Sequence, residues 1–509
     1  MLENPVTIGS GVVFGVDSVP VAIEATLHGR TGPPKILGRV DTGVREAYHR
    51  ILGAFMAQQL PAPRGTPTIN FTPADLRKTG SGFDLPMALA LAGAAGQFHR
   101  RQRLAAFGEL SLSGEILPAR GAVAVAIALR DHGWPCLLTG PEDAAMAAMV
   151  PGLAVFAART LAEALLWVRN PAAVRPVARM HRQPSPRVPD MADIRGHETP
   201  KTAVMVAAAG RHNLLMVGPP GSGKSALLRR LPALLPATSE AEALEILKVH
   251  TVHGVASLPS FGVRPIRAPH HTASTVALLG GGSEPRPGEV TLAHHGVLFL
   301  DEMAEFRRDA LEGLRQPIED GQITIGRARR VVTMPADFLL IGAMNPCPCG
   351  YRGHPRRACR CSPSQRQRYE SRVSGPLLDR IDLQVEVPAL DPSVLHQAPD
   401  ARWATNAMQD QVQLAIDRQK HRGHHRHGAE LFNGRLSDDS LEQAVKPSRE
   451  LRRVLEDVLR VHGLSGRARV RLLRIARTLA DLGDRDAVGP DDLVEAARLR
   501  GYERTQALD

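Results

Sequence analysis

NLLMVGPPGSGKSALL, residues 213 to 228, runs from an apolar strand through a glycine-rich turn into a helical stretch. Gly218 to Ser225 fits the pattern GxxxxGK[ST], and the strand before it and the helix after it are the context that pattern requires. Gly218, Gly221 and Gly223 let the loop, which Pro219, Pro220 and Ser222 complete, turn its backbone N–H groups inward onto phosphate oxygens. Lys224 is spaced to reach the β- and γ-phosphates of ATP, and the Ser225 hydroxyl to hold Mg²⁺.

Working outward, the apolar run Val297–Leu300 ends in Asp301-Glu302. A carboxylate at a strand end beside a phosphate loop suits Mg²⁺, and the next one suits the attacking water, so Asp301 and Glu302 take those roles. The run Phe338–Met344 ends in Asn345, whose amide suits the same water or a turn cap. Helical stretches alternating with the short strands NLLMVG, GVLFLDE, FLLIGAMN and IDLQVEV predict an α/β unit with a mostly parallel sheet over residues 190–390.

The chain has 509 residues, enough for roughly three domains. Apolar residues make up 43% and charged residues 23%, which excludes wholesale disorder and fibrous architectures. The longest apolar stretches, Met87 to Ala95 and Ala122 to Leu129, are far shorter than the ~20 residues of a membrane span. MLENPVTIGSG carries an acid where a secretory signal has bases, so the expectation is a cytoplasmic protein. Residues 1–175 mix β-rich runs with helical runs after Asp84, Gly121 and Asp143 and predict an α+β domain. Five prolines between Pro171 and Pro189 make 176–189 a linker. Residues 391–509 read as helical, after a basic run RQKHRGHHRH at 418 to 427.

The formal charge of +11 fits either a polyanionic partner or a merely Arg-rich composition. Basic side chains concentrate in three further places: a hairpin around Arg327, Ala328, Arg329 and Arg330; a loop with Arg352, Arg356, Arg357, Arg360, Arg366 and Arg368; and the helices over 451–479. Each is a candidate nucleic-acid contact or a solvated face. Four of the five cysteines, Cys347, Cys349, Cys359 and Cys361, form CxC-x9-CxC. Four thiolates on one short excursion suit a structural Zn²⁺, although the usual CxxC spacing is absent, and free thiols or a redox pair are the alternatives. Around His270-His271 and His294-His295 no carboxylate or thiol completes a metal spacing, so both pairs read as structural or nucleotide-adjacent.

These motifs, together with SGPLLDRIDL at 374 to 383, resemble AAA+ P-loop ATPases of the magnesium-chelatase and helix-2-insert branch. Within it, RAPHHTAS (267 to 274), GGSEPRPGEVTLAHHGVLFLDEMAEF (281 to 306) and PADLRKTGSGFDLPMALA (73 to 90) resemble the bacterial YifB/ComM group over nearly the whole chain. The resemblance implies an arginine finger at Arg380 acting on a ring neighbour, and a sensor-2 arginine at Arg467, with Arg469 or Arg471 as alternatives. It also implies a pore-facing hairpin at 321–337, a helix-2 insert between Lys248 and Glu289, and a C-terminal helical lid. GSGFDLPMALALAG and GELSLSGEILPARGAVAVAIAL resemble a Lon-protease-like domain, but its Ser-Lys dyad is missing. The nucleophile position falls at Gly82, one residue after Ser81, and Gly121 to Ala126 holds no lysine.

The implied function is an ATP- and Mg²⁺-dependent hexameric motor on single-stranded or branched DNA, driving branch migration in recombination during natural transformation, with recombination proteins as partners and no membrane. Three rival readings are a magnesium-chelatase motor subunit, a Lon-like peptidase and a nucleotide-gated scaffold.

Overall fold

The computed structural model describes residues 6–30, 32–98, 103–180, 188–254, 261–282, 285–327, 330–423, 432–461 and 466–501. At its centre is a five-stranded sheet in the order Ile266–Arg267, Val297–Leu300, Leu339–Met344, Leu214–Val217, Leu383–Glu386. Every neighbouring pair is parallel. LLMV and LLIGAM are buried at every position because helices cover both sheet faces, which is why they read as unbroken apolar runs. All the strands therefore end at one edge, where ligands bind in open α/β sheets.

Ile266–Arg267 differs from the expectation. The Gly/Pro-rich stretch read as an insert contributes an edge strand paired to Val297 and Leu298 before it leaves the sheet. Two residues are too short a run for apolar periodicity to reveal. Beyond it come the helix Thr275–Leu279 and the two-residue ladder of Gly280–Gly281 with Arg286–Pro287. Gln322–Arg327 and Arg330–Pro335 form an antiparallel hairpin, although residues 328 and 329 at its tip lie outside the described ones.

The N-terminal residues build a seven-stranded mixed sheet in the order Lys35–Leu37, Thr66–Thr72, Asp17–His28, Thr7–Phe14, Leu104–Phe107, Cys136–Thr139, Ala154–Ala157. On one face lies Asp84–Ala94, buried from Asp84 to Gly93; Asp84 pairs with Arg50 at 2.7 Å, and the residues after it are apolar all round. On the other lies Ala122–Asp131, whose Val123, Ala126 and Leu129 share a core with Ala243 and Leu247 of the helix Glu240–His253. That shared core joins the two sheets' layers, each buried leucine contributing about 2 kcal/mol. Two further contacts secure the join: Gly121 N–H donates to the Thr251 carbonyl at 3.2 Å, and Lys248 pairs with Asp17 at 2.7 Å. Val16, in the turn after Phe14, sits in one cluster with Val332 and Met334 of the hairpin.

The C-terminal helices Thr405–Gly423, Asp438–Val445, Arg449–Val461, Gly466–Leu482 and Pro490–Arg498 bury one apolar stripe each against Glu198–Gly210 and the sheet. In Arg449–Val461 the stripe is Leu451, Val454, Leu455 and Val458, at helical spacing. Among the described residues no helix is long and apolar enough to cross a membrane.

Candidate nucleotide site and thiol cluster

The phosphate loop leaves the sheet at Val217 and enters the helix Lys224–Leu228. Two of its glycines are required by geometry. A Cβ on Gly218 would stand 2.1 Å from the Val387 carbonyl oxygen, and Gly223 has φ +94°. The Lys224 ammonium donates to the Gly218 carbonyl at 2.6 Å and the Pro219 carbonyl at 2.9 Å, and lies 3.5 Å from Asn345 Oδ1. Burial lowers its pKa, with Asp301 acting in the opposite direction. A buried ammonium held by neutral oxygens fits the polyphosphate of ATP.

Ser225 Oγ donates to Asp301 Oδ2 at 3.2 Å. Octahedral Mg²⁺ with bonds of about 2.1 Å sets neighbouring ligand oxygens about 3.0 Å apart, so this pair fits one ion. Glu302 is exposed and has φ +51°, a left-handed backbone that costs about 1 kcal/mol in a side-chain-bearing residue. Its N–H donates to Asp301 Oδ1 at 2.9 Å, and its carboxylate lies 3.1 Å from His271 Nδ1. The second histidine of PHHTAS is thus a direct partner of the carboxylate that would orient the water. His197, buried in a left-handed backbone, packs within 3.7 Å of where a Gly223 Cβ would stand. Neither histidine's role carried a sequence signal beyond its proximity to a motif.

Immediately after Asn345 the four cysteines fold into one cluster, all Sγ atoms within 4.8 Å of one another. Cys347 lies 3.4 Å from Cys349 and 3.6 Å from Cys359, Cys349 lies 3.7 Å from Cys359, and Cys361 accepts the Cys349 N–H at 3.4 Å. Zn–S bonds of about 2.3 Å in a tetrahedron give edges of about 3.8 Å, so the cluster can hold a metal. Burial and the neighbouring thiols push the Cys347 thiol up to about 12. Burial also opposes ionisation of Cys349, but N–H groups of Tyr351 and Arg360 outweigh it and bring that thiol down to about 6. The cluster rests on the phosphate loop itself: a Cβ on Gly350 would lie 2.6 Å from Pro220 Cδ and 3.8 Å from the Asn345 amide carbon.

Arg380 stands apart. It precedes the strand Leu383–Glu386, which runs parallel to Leu214–Val217, so it lies at the opposite sheet edge from its own phosphate loop. It pairs with Glu319 at 2.7 Å, rather than with Asp379 or Asp382, and donates to the Pro376 carbonyl at 2.7 Å. The side chain of Arg467 lies outside the described residues. Its alternatives are engaged elsewhere, Arg469 with Glu442 at 2.8 Å and Arg471 with Asp382 at 3.5 Å. Much of the basic surface expected in the sequence is likewise paired: Arg352 with Glu370, Arg356 with Asp391, and Arg477 buried with Asp481. Residues 424–427 of the RQKHRGHHRH run lie outside the described ones.

One expectation is corrected. His294 and His295 do have a carboxylate partner: Glu245 Oε2 lies 3.0 Å and 2.7 Å from their Nε2 atoms, and the hydrogen bonds drive its pKa far below the usual range. Nearly fifty residues separate Glu245 from the pair, beyond the reach of any local spacing. In the N-terminal sheet, a Cβ on Gly82 would stand 2.2 Å from the Phe107 ring, so that position has neither a nucleophile nor room for one.

Lys224, Ser225, Asp301, Glu302 and Asn345 thus converge on one edge of a parallel sheet. This is the arrangement of a magnesium-chelatase-like AAA+ protein, and known sequences agree. The family described as "Magnesium chelatase, subunit ChlI" matches residues 190–395, "Subunit ChlI of Mg-chelatase" matches 23–142, and "Magnesium chelatase, subunit ChlI C-terminal" matches 402–500. The chain is 37% identical over 497 residues to YifB of Salmonella typhimurium, covering 96% of each chain. It is 36% identical over 503 residues to the competence protein ComM of Haemophilus influenzae, again covering 96% of each. The magnesium-chelatase 38 kDa subunit of Cereibacter sphaeroides matches more distantly, at 26% over 38% of this chain and 56% of its own. The chain belongs to the YifB/ComM family of magnesium-chelatase-like proteins.

Proposed function

We propose that this protein is an ATP-hydrolysing ring motor, a hexamer, that acts on single-stranded or branched DNA and drives branch migration in recombination during natural transformation. The observation that carries the ring is Arg380 at the sheet edge opposite its own phosphate loop. A guanidinium so placed serves a γ-phosphate only when a neighbouring subunit brings its loop to it. When bound, ATP and Mg²⁺ supply the phosphoryl group and the charge neutralisation. Lys224 holds the β- and γ-phosphates, Ser225 and Asp301 hold the ion, Glu302 and Asn345 orient the water, and Arg467 is the sensor-2 arginine.

The DNA substrate is supported by the similarity to ComM, a competence protein by name, and by the net charge of +11. Residues 1–175 act as a Lon-like scaffold without peptidase chemistry, consistent with Gly82. The thiol cluster takes a structural Zn²⁺, which would lock the Cys347–Cys361 excursion onto Pro220. The match to a magnesium-chelatase subunit supports a second reading, a motor for metal insertion or protein remodelling.

Steady-state ATPase measured alone and with single-stranded DNA, duplex and a four-way junction separates the two readings, with Glu302→Gln as background. Stimulation of about tenfold or more, greatest with the junction, is the expected result. Turnover indifferent to every DNA would leave the ATPase in place and favour the metal-insertion or remodelling reading.

A further inference from the structure

Between the N-terminal sheet and the segment 285–287 lies a cleft of about 1370 Å³. That exceeds the range of about 300–1,000 Å³ usual for small-molecule sites and suits a length of polymer. Part of its wall is the second half of the strand Thr7–Phe14, which has an open edge there. The strand pairs with Asp17–His28 along its whole length, but with Leu104–Phe107 only at Ile8 and Gly9. Past that point the neighbouring chain turns away: the Gly108 N–H donates to the Gly82 carbonyl, and the Gly108 carbonyl accepts from the Leu85 N–H, both at 3.0 Å.

The register shows which groups this edge presents. Pro20 stands opposite Gly11 and Pro67 opposite Leu27, and neither proline has an N–H to give. Both therefore fall at pairs that exchange no hydrogen bonds. Gly11 and, two residues on, Val13 thus aim their N–H and C=O groups away from Asp17–His28, toward the cleft that both line. Among the described residues neither has a hydrogen-bond partner on that side. Donors alternating with acceptors on a strand edge match an extended polypeptide, which offers the same alternation in return. A phosphodiester backbone presents acceptors alone, and the Gly11 and Val13 carbonyls would stand against its oxygens.

Charge narrows the class further. Four arginines line the cleft, Arg39, Arg77, Arg120 and Arg286, against the two carboxylates Asp41 and Glu109. Asp41 caps the helix Thr42–Ala57 by accepting the Val44 N–H at 2.9 Å, and Glu109 lies within electrostatic reach of Arg50. Arg77, Arg120 and Arg286 are exposed and make no ion pair among the described residues. Arg120 and Arg286 both lie within electrostatic reach of His253, so positive charge from two layers of the molecule is gathered in one place. Such a cleft focuses a positive potential, and guanidinium forks pair with carboxylates through two parallel hydrogen bonds.

We infer that this cleft binds an extended acidic segment of a partner protein, which adds as a strand to Gly11–Val13 and sets its Asp and Glu side chains on Arg77, Arg120 and Arg286. The inference goes beyond the motor reading and does not depend on it, because the edge and the three arginines lie outside the nucleotide site.

The test is fluorescence anisotropy of a labelled peptide of about twelve residues, built of Glu and Thr, with the full-length protein. Arg77→Ala/Arg120→Ala/Arg286→Ala should bind it about ten- to a hundredfold more weakly than wild type. Arg45→Ala/Arg64→Ala/Arg175→Ala, three exposed arginines outside the cleft, should match wild type. A counterpart peptide N-methylated at every residue keeps the charge but has no edge donors, and wild type should bind it at least about tenfold more weakly. Val13→Pro removes one donor from the edge and no bond from the ladder with Asp17–His28, and should weaken the unmethylated peptide about three- to tenfold.

No binding of the acidic peptide by wild type would overturn the inference. So would equal affinity for the cleft variant and its control, or undiminished binding of the N-methylated peptide to wild type. Oligothymidylate is titrated in parallel: binding that the cleft variant loses, with the acidic peptide unbound, would reassign the cleft to nucleic acid.

Discussion

Gly218 shows how narrow the tolerance is at the nucleotide. Its missing Cβ is the space occupied by the Val387 carbonyl, 2.1 Å away, on the strand that closes the sheet. Gly218→Ala has to shift either that strand or the loop that aims Lys224. A displacement near 1 Å costs on the order of a hundredfold in a positioned reaction, so the ATPase of Gly218→Ala should fall by about that factor. Unchanged turnover in a steady-state assay would show that the loop is not held as described. Residues of this kind were legible in the sequence because loop, strand and helix are contiguous in the chain. His271 on Glu302, Glu319 on Arg380 and Glu245 on His294 and His295 were not, because each pairing depends on how distant segments are brought together. A His-His doublet carries no local mark of its carboxylate, and the absence of one nearby misdirected the reading at His294.

Among elements, the excursion from Cys347 to Cys361 is the most consequential, since it follows Asn345 directly and presses Gly350 against Pro220. Four thiols at tetrahedral spacing give it one fixed shape when a metal holds them. Purified protein should carry about one zinc ion per chain, and Cys359→Ser should lose the metal and weaken ATP binding together. Zinc content is read by elemental analysis and ATP affinity by titration calorimetry; full ATP affinity in a zinc-free Cys359→Ser protein would detach the cluster from the nucleotide site. The CxC-x9-CxC spacing made the cluster visible in the sequence, whereas its seat on the phosphate loop was invisible, because Pro220 and Gly350 lie 130 residues apart. The parallel sheet was likewise readable from its four long apolar runs, but not from Ile266–Arg267, which is too short to show a period.

For the whole molecule, stability and assembly rest on different charges. Asp481, fully buried, joins the helices Thr405–Gly423 and Gly466–Leu482. It accepts from Arg477 at 2.9 Å, Asn433 at 2.8 Å and Arg422 at 2.6 Å. Asp481→Ala leaves the buried Arg477 guanidinium without its anion and should cost about 3–5 kcal/mol, measured by urea unfolding. A loss below about 1 kcal/mol would show the network to be dispensable. Most arginines on the C-terminal helices serve such internal pairs; Arg380, held by Glu319 at 2.7 Å, lies at the sheet edge opposite its own phosphate loop and has to leave that carboxylate to act between subunits.

Subunit mixing tests that role most directly. Lys224→Ala and Arg380→Ala should each be inactive in ATP hydrolysis alone, because one lacks the phosphate ligand and the other the neighbour's guanidinium. Equal mixing should restore ATPase to about a quarter of wild type, since interfaces that combine an intact loop with an intact finger then form at random. An exchanged mixture that stays inactive, or an Arg380→Ala ring that hydrolyses ATP at the wild-type rate, would contradict a ring motor with its finger in trans.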